Sequence, residues 1–385
     1  MRVCHTDLAD SRWFTGSGIY RKAYLVVEEQ VHAVWNGVAF NVSRADEQSA
    51  AVCADAEIVN ELDERVIGTL TASLKLCGSD EESVVFARVP AVMEAHEKKT
   101  FYLNGMIGKP KLWSCESPSL YELCISFEKE DENVIVLDKE RVGIRTFSFD
   151  ADQGFFLNGK LTKFKGVCNH HDLGPLGGAV NDAAIRRQIR ILKDMGCNAI
   201  RTSHNMPAPE LVEACDEMGM MLMVESFDEW KSAKMANGYH KIFDEWVEKD
   251  LTNLIRHYRN NPSIVMWCIG NEVPDQWNGN NGPKLSRMLQ DICHREDPTR
   301  PVTQGMDAPD AVVNNNMAAV MDVAGFNYRP HKYPENYKKL PQQIILGSET
   351  ASTVSSRGVY KFPVVRQAMK KYDDHQSSSY DVEHC

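Results

Sequence analysis

Two glutamates close strongly apolar segments of the sequence and could act together as an acid and a nucleophile. Glu272 ends IVMWCIGNE, and Glu349 ends ILGSE. Cleavage of a glycosidic bond needs such a pair, because one carboxyl donates a proton to the leaving oxygen while the other attacks the anomeric carbon or activates water. Attack on the anomeric carbon requires the two carboxyls to lie about 5–5.5 Å apart, whereas activation of water requires about 6.5–9.5 Å. The alternative is that one or both glutamates are ordinary charges at a strand end or a helix N-terminus.

Several polar residues at other predicted strand ends could bind a sugar. Asn271 directly precedes Glu272 and could hydrogen-bond the hydroxyl next to the reacting carbon, or it could be a helix N-cap. Trp230 and Trp277 are predicted in loops on the same face, where an indole could stack on a sugar ring. The remaining candidates are polar side chains expected at the same mouth, although a single His is more often structural: His171, Arg201, His204, Asp228 and Tyr328.

The first part of the chain, residues 23–146, is predicted to form an antiparallel β-sandwich. Short alternating or β-branched segments are separated there by polar, turn-rich stretches. The segments are AYLVVEE, HAVWNGVAFNVS, RVIGTLTASLKL, SVVFARV and LYELCISFEK.

From residue 147 onwards the pattern changes to apolar strands that alternate with helical segments, which predicts a parallel sheet. Seven candidate strands are KFKGV, NAIRT, MLMVES, IVMWCIG, PVTQ, VAGFN and IILGSE. IVMWCIG is apolar without alternation, as in a parallel strand that is buried on both faces. In a (β/α)8 barrel the carboxyl ends of the strands form the active-site face, so the polar residues after these strands should converge.

Composition excludes several other classes of protein. The 385 residues are 43% hydrophobic and 25% charged, as in an ordinary globular chain. The net charge of −11 and the lack of a basic, aromatic-rich stretch argue against a nucleic-acid partner. No apolar segment approaches the length of about 18 residues that a membrane span needs, and the N-terminus lacks the pattern of a signal peptide. A cytoplasmic location is therefore expected for the sequence as it stands, whereas a full-length parent could be periplasmic.

Other chemistries find little support. The sequence contains no HExxH, no P-loop and no GxSxG motif. His170, His171 and Asp172 lie side by side, but without a further ligand at helical spacing they are weak evidence for a metal site.

The same residues resemble glycoside hydrolase family 2, the group of β-galactosidases, β-glucuronidases and β-mannosidases. SRWFTGSGIYRKAYL (11–25) is similar to the end of the family's N-terminal jelly-roll, and residues 142–174 resemble the entry to its barrel. MGCNAIRTSHN, IVMWCIGNE and ILGSET resemble the second, acid/base and nucleophile strands. The resemblance covers nearly the whole chain in order and at similar spacing.

The resemblance implies a retaining double displacement with Glu272 as general acid/base, Glu349 as nucleophile and Asn271 on the 2-hydroxyl. NHHDLG and RTSHN look closest to bacterial β-galactosidases of the family, so terminal β-galactosides are the expected carbohydrate substrate. The magnesium-binding Glu-x-His of some relatives is absent, because Trp230 and Lys231 follow Glu229. Neither a metal nor another cofactor is therefore expected. The sequence leaves a homo-oligomer open.

The resemblance also predicts three regions: a remnant of the jelly-roll at 1–22, an immunoglobulin-like sandwich at 23–146 and a (β/α)8 barrel at 147–385. The eighth barrel strand is expected to be missing, so that the chain is truncated at both ends relative to the family. A catalytically silent, carbohydrate-binding fragment is one alternative function. A β-glucuronidase of the same family is another.

Overall fold

A computed structural model describes residues 3, 5, 10–13, 15–129 and 134–351. Within these residues an antiparallel β-sandwich precedes a parallel sheet that is flanked by helices, and a small antiparallel sheet lies between the two. The fold class predicted from the sequence is confirmed. The C-terminal stretch DHQSSSYDVEHC lies outside the described residues.

The sandwich consists of a three-stranded and a four-stranded antiparallel sheet. One sheet has the order β1–β2–β5, with β1 at Val31–Ala45, β2 at Ser49–Asn60 and β5 at Lys98–Gly108. The other has the order β4–β3–β6–β7, with β3 at Val66–Leu76, β4 at Val84–Met93, β6 at Tyr121–Lys129 and β7 at Val134–Val142. Every second residue of β2 is buried, so that its apolar side chains face the opposite sheet and form the core.

The segment before β1 differs from the sequence prediction. AYLVVEE was expected to be the first strand, but residues 23–30 contain no strand. Leu25 is 92% exposed and Val27 is 85% exposed. The prediction was wrong because alternation alone does not make a strand, and no strand among the described residues pairs with this segment. Residues 10–13 and 15–22 likewise contain no helix or strand.

A small antiparallel sheet connects the sandwich to the parallel sheet. Its strands are β8 at Phe147–Asp150, β9 at Gly154–Leu157 and β10 at Lys160–Leu161. Phe155 and Leu157 pack with Trp113 from the sandwich side and with Met221 and Val265 from the parallel sheet. This apolar cluster fixes the barrel against the preceding domain.

The parallel sheet has seven strands among the described residues, in the order of the sequence from β11 to β17. They are β11 Gly166–Asn169, β12 Ala199–Thr202, β13 Met221–Glu225, β14 Ile264–Asn271, β15 Val302–Met306, β16 Ala324–Asn327 and β17 Ile345–Glu349. The helices between them are α1 Asp182–Asp194, α2 Pro209–Met218, α3 Phe243–Tyr258, α4 Asn281–Glu296, α5 Pro309–Asn314, α6 Met317–Val320 and α7 Tyr333–Lys339. All eight residues of β14 are buried, as its sequence predicts.

The sheet is curled, so that its first and last described strands approach each other at their carboxyl ends. The Cys168 Sγ atom on β11 lies 3.2 Å from the Ser348 carbonyl oxygen on β17. The curl creates a cleft of about 1620 Å³ at the carboxyl ends of the strands and along the interior of the sheet. None of the described helices is long and apolar enough to cross a lipid bilayer.

Candidate active site

Glu272 and Glu349 both line the cleft, at the carboxyl ends of two parallel strands. Glu349 is the last residue of β17, and Glu272 directly follows β14. Glu272 has a left-handed backbone with φ of 44°, which is unusual for a residue with a side chain, and its amide donates to the Gly305 carbonyl at 2.7 Å. This turn lets the side chain leave the strand direction and face the cleft.

The carboxylate of Glu349 is surrounded by hydrogen-bond donors. Arg201 Nη1 lies 2.8 Å from Oε1, and the Tyr328 hydroxyl donates to Oε2 at 2.7 Å. His204 Nε2 lies 3.5 Å from Oε1. Burial acts to raise the pKa of Glu349, but the charges of Arg201 and His204 and the hydrogen bond from Tyr328 outweigh it and lower the pKa. Glu349 is therefore held as a carboxylate.

A second acidic side chain, Glu225 at the end of β13, aligns two partners of Glu349, Arg201 and His204. Glu225 is fully buried, with Oε2 2.8 Å from Arg201 Nε and with His204 Nδ1 3.3 Å from each of its oxygens. Both Arg201 and His204 thus face one hidden carboxylate and one that lines the cleft. Because Arg201 is only 3% exposed, its role is to position and charge-stabilise Glu349.

Glu272 has the opposite environment. Burial, followed by the negative charges of Asp307 and Glu349, raises its pKa, and the hydrogen bond from Asn327 Nδ2 to Oε1 at 2.9 Å and the charge of Arg12 only partly oppose this rise. A carboxyl that keeps its proton to a higher pH can donate that proton to a leaving group.

A chain of buried amides connects the two carboxylates. Asn271 Oδ1 accepts from Arg201 Nη2 and from Asn327 Nδ2, both at 2.9 Å. The Ser348 hydroxyl in turn donates to Asn327 Oδ1 at 2.7 Å. Gly305 on β15 leaves space for this network, since a Cβ atom there would lie 2.7 Å from Arg201 Nη2 and 3.0 Å from Asn271 Oδ1. The network fixes both sides of the cleft relative to each other.

Asp228 lies behind Asn271 and collects three donors. Its Oδ1 accepts from Asn271 Nδ2 at 2.9 Å, from Lys234 Nζ at 2.8 Å and from Arg12 Nη2 at 2.7 Å. Although burial acts to raise the pKa of Asp228, the bond from Arg12 and the charges of Lys234 and Arg12 lower it. Asp228 is thus an ionised support for Asn271.

The structure brings together most of the predicted site residues, but not all of them. Arg201, His204 and Tyr328 line the cleft with the two glutamates, whereas Asn271 and Asp228 lie in the network behind them. His171 points elsewhere, with Nε2 3.2 Å from the Thr15 carbonyl oxygen, and its neighbour His170 lines the cleft instead.

The two predicted tryptophan platforms are absent from the cleft. Trp230 is fully buried and donates from Nε1 to the Ile269 carbonyl at 2.8 Å, with its indole packed against Gly270. The stacking prediction for Trp230 was wrong, because a glycine on β14 gives the indole a place in the core. Trp277 is 67% exposed and does not line the cleft.

Sequence reasoning missed Arg12, Trp13, Lys234 and Ser348 as neighbours of the site. Trp13 lies with its ring centroid 5.0 Å from that of His170 and 5.6 Å from that of His204. Ser348 carried a usable signal, since it lies at the carboxyl end of a predicted strand. Arg12 and Trp13 carried none, because their segment is distant in sequence from the barrel.

Glu229, which the sequence analysis compared with the Glu-x-His magnesium motif, has a structural role. Its carboxylate accepts from the backbone amides of Lys234, Met235 and His240 at 2.8 to 3.0 Å and so orders the loop after β13. Within the described part of the chain, no group of three or more His, Cys, Asp or Glu side chains is arranged to hold a metal ion.

Two family models match the chain. Residues 151–381 match the model described as "Glycosyl hydrolases family 2, TIM barrel domain", and residues 35–145 match "Glycosyl hydrolases family 2". The chain belongs to glycoside hydrolase family 2. In this family 2 chain, the matched barrel region holds Glu272, Glu349 and the network between them.

Individual relatives agree with the family. A β-galactosidase of Bacteroides ovatus is 36% identical over 97% of this chain and 47% of its own length. A β-glucuronidase of Bacteroides fragilis is 27% identical over 92% of the chain and 49% of its own length. Among solved structures, a β-glycosidase from Bacteroides vulgatus superposes with a TM-score of 0.78 at 36% identity, covering 93% of this chain and 44% of that one. The family 2 chain therefore spans about half the length of these relatives.

Proposed function

We propose that this chain is a retaining exo-β-glycosidase that hydrolyses terminal β-galactosides, with Glu349 as nucleophile and Glu272 as general acid/base. The observation that carries the proposal is the opposite effect of the surroundings on two carboxyls in one cleft. The pKa of Glu349 is lowered and that of Glu272 is raised. Paired carboxyls whose pKa values are separated in this way identify the base or nucleophile and the acid of a site.

In the first step, the Glu349 carboxylate attacks the anomeric carbon while Glu272 donates its proton to the leaving glycosidic oxygen. The bond from the anomeric carbon to that oxygen breaks as the bond to the Glu349 oxygen forms. Arg201 and Tyr328 hold the attacking carboxylate in one orientation throughout. The family resemblance assigns the hydroxyl next to the reacting carbon to Asn271, whose amide Arg201, Asn327 and Asp228 hold in one orientation behind the two glutamates.

In the second step, Glu272 acts as a base. Esterification removes the negative charge of Glu349, which is one of the groups that raise the pKa of Glu272. The pKa of Glu272 then falls, and its carboxylate takes a proton from a water molecule that attacks the anomeric carbon. Two displacements at the same carbon return it to its original configuration.

The choice of β-galactosides rests on the β-galactosidase of Bacteroides ovatus, which is 36% identical. The β-glucuronidase of Bacteroides fragilis is more distant at 27% identity. A β-glucuronide is therefore the alternative substrate of the same machinery, and a silent carbohydrate-binding fragment is the alternative from another class.

Hydrolysis of 4-nitrophenyl β-galactoside and 4-nitrophenyl β-glucuronide by the purified chain tests the proposal. We expect release of nitrophenol from the galactoside, with β-galactose as the first product detected by proton NMR. Glu248→Gln is the matched control for Glu349→Gln, because Glu248 is an exposed glutamate on α3 that pairs with Arg295. Faster hydrolysis of the glucuronide would make a β-glucuronide the substrate in place of the β-galactoside. α-Galactose as the first product would contradict retention. Sugar binding without turnover would favour the silent carbohydrate-binding fragment.

A further inference from the structure

A segment that precedes the sandwich lies across the carboxyl ends of the barrel strands. Arg21 donates from its guanidinium to the carbonyl oxygens of Met206 at 2.7 Å and Pro207 at 2.8 Å. Lys22 Nζ lies 2.9 Å from Glu210 Oε1. With the contact between His171 and Thr15, these bonds attach residues 15–22 to the loops around the cleft.

Arg12, which shortly precedes residues 15–22, extends into the site itself. Its Nη2 atom donates to Asp228 Oδ1 at 2.7 Å, and its Nε atom donates to Asp228 Oδ2 at 3.1 Å. Its third nitrogen, Nη1, lies 3.6 Å from Glu272 Oε2. The Arg12 guanidinium therefore contacts both Asp228, which supports Asn271, and Glu272.

The paired geometry distinguishes Arg12 from an ordinary surface ion pair. Exposed pairs of single contacts contribute little, roughly 0–1 kcal/mol, because solvent screens them and two side chains lose freedom. Here the contact to Asp228 is a two-bond fork, and the Asp228 side chain is only 10% exposed. The Arg12 side chain is 39% exposed, so the cation remains at the rim of the cleft.

We propose that Arg12 is a positioning residue of the active site, which fixes Asp228, and through it Asn271, and presents a positive charge to Glu272 from outside the barrel. The proposal rests on the proposed function only for the name of the role of Glu272. The contact itself is independent of turnover.

The charged and polar groups that face Glu272 come from several elements. Asp307 after β15 and Glu349 on β17 oppose its ionisation, whereas Asn327 on β16, Lys234 in the loop after β13 and Arg12 favour it. Without Arg12, less positive charge opposes the effect of Asp307 and Glu349 on the pKa of Glu272, so Glu272 should hold its proton to a higher pH. Asp228 keeps Lys234 at 2.8 Å, so the folded structure should survive this change.

The titration of Glu272 can be followed by NMR in protein labelled with ¹³C at the glutamate carboxyls, and Glu272→Gln assigns its signal. We expect Arg12→Met to move the Glu272 midpoint to higher pH. Arg12→Lys, which keeps the charge but loses the fork, should give a smaller shift. Lys22→Met is the matched control, since it removes an exposed cation from the same segment and should leave the midpoint unchanged.

An unmoved midpoint in Arg12→Met would overturn the proposal. Equal shifts in Arg12→Met and Lys22→Met would also overturn it, because they would assign the effect to the packing of the segment. A shift in Arg12→Lys as large as that in Arg12→Met would overturn it as well, because it would show that the charge has no role. If the chain hydrolyses aryl β-glycosides, the basic limb of kcat/KM should move in the same direction as the midpoint. A shifted midpoint in a chain without hydrolytic activity would refute the proposed function and leave the role of Arg12 intact.

Discussion

The two sides of the cleft contain the same kind of residue in opposite surroundings. On one side, Glu349 faces Arg201, His204 and the hydroxyl of Tyr328, all of them donors or cations. On the other side, Glu272 faces a further acid, Asp307, one amide and, at 3.6 Å, the guanidinium of Arg12. Burial alone would raise the pKa of both carboxyls. Because burial acts in the same direction on both, the neighbours account for the opposite directions of the two pKa shifts.

The two sides also differ in how they are built. The partners of Glu349 come from the ends of barrel strands or from the residues that follow them, and Glu225 locks two of these partners in place. Glu272 depends in part on Arg12, from a segment without helix or strand. We therefore expect the Glu349 side to be the more rigid of the two and the Glu272 side to be the one that other segments can adjust.

The largest effect is expected from the loss of the nucleophile. Glu349→Gln keeps the shape of the side chain but replaces a carboxylate with a poorly nucleophilic amide, so kcat/KM on an aryl β-galactoside should fall by a factor of about ten thousand or more. A 2-fluoro galactoside should label the native chain on the peptide that contains Glu349, as read by mass spectrometry. A label on another peptide would refute the assignment.

Loss of the acid should depend on the leaving group. In Glu272→Ala, substrates with poor leaving groups should lose about a hundredfold to ten-thousandfold in rate, because their departure needs the proton. Activated aryl galactosides should lose far less, and added azide should restore turnover of the intermediate by attacking it without a base. Equal losses on both substrate types, with no response to azide, would remove Glu272 from this role.

A smaller effect is expected when the connection between the two sides is disturbed. Gly305→Ala places a methyl group against Arg201 Nη2 and Asn271 Oδ1, so both carboxyls should shift and kcat/KM should fall roughly tenfold to a hundredfold. Gly108→Ala is the control, because a Cβ atom at Gly108 meets nothing within 4 Å. If both variants keep full activity, the network is not needed to hold the two sides together.

The smallest effect should be a shift in pH dependence. Tyr328→Phe removes one of the groups that lower the pKa of Glu349. That pKa should rise, so the acidic limb of kcat/KM should move to higher pH, with a loss of less than about tenfold at the optimum. Tyr239→Phe is the matched control, since Tyr239 also donates to a carboxylate, Asp250, at 2.7 Å. A shift to lower pH would contradict the description of this side of the cleft.

Much of the barrel could be predicted because its strands β14, β15 and β16 are buried on both faces. IVMWCIG (264–270) predicts β14 and IILGSE (344–349) predicts β17, each to within one residue. Such continuous apolar segments identify strands without any knowledge of their neighbours, and the carboxyl-end rule then identifies the polar residues that meet. This is why Glu272, Glu349, Arg201, His204 and Tyr328 could be placed at one mouth from the sequence.

Elements that depend on distant partners were not predictable in the same way. The alanine-rich strand β2 has weak intrinsic β-propensity and forms because it pairs with β1 on one side and β5 on the other. Conversely, AYLVVEE has strong propensity and no partner among the described strands. Trp230 and Gly270 are far apart in sequence, so their packing, which removes the indole from the cleft, has no local signal.

The fork between Arg12 and Asp228 joins positions that are 216 residues apart. A loop of that size closes late, since its ends meet only after the intervening chain has become compact. During synthesis, the segment that carries Arg12 is made before the sandwich, and its partner Asp228 is made only after three barrel strands. We therefore expect the contact between Arg12 and Asp228 to form late in folding, so that its formation would report that the sandwich and the barrel have reached their native arrangement.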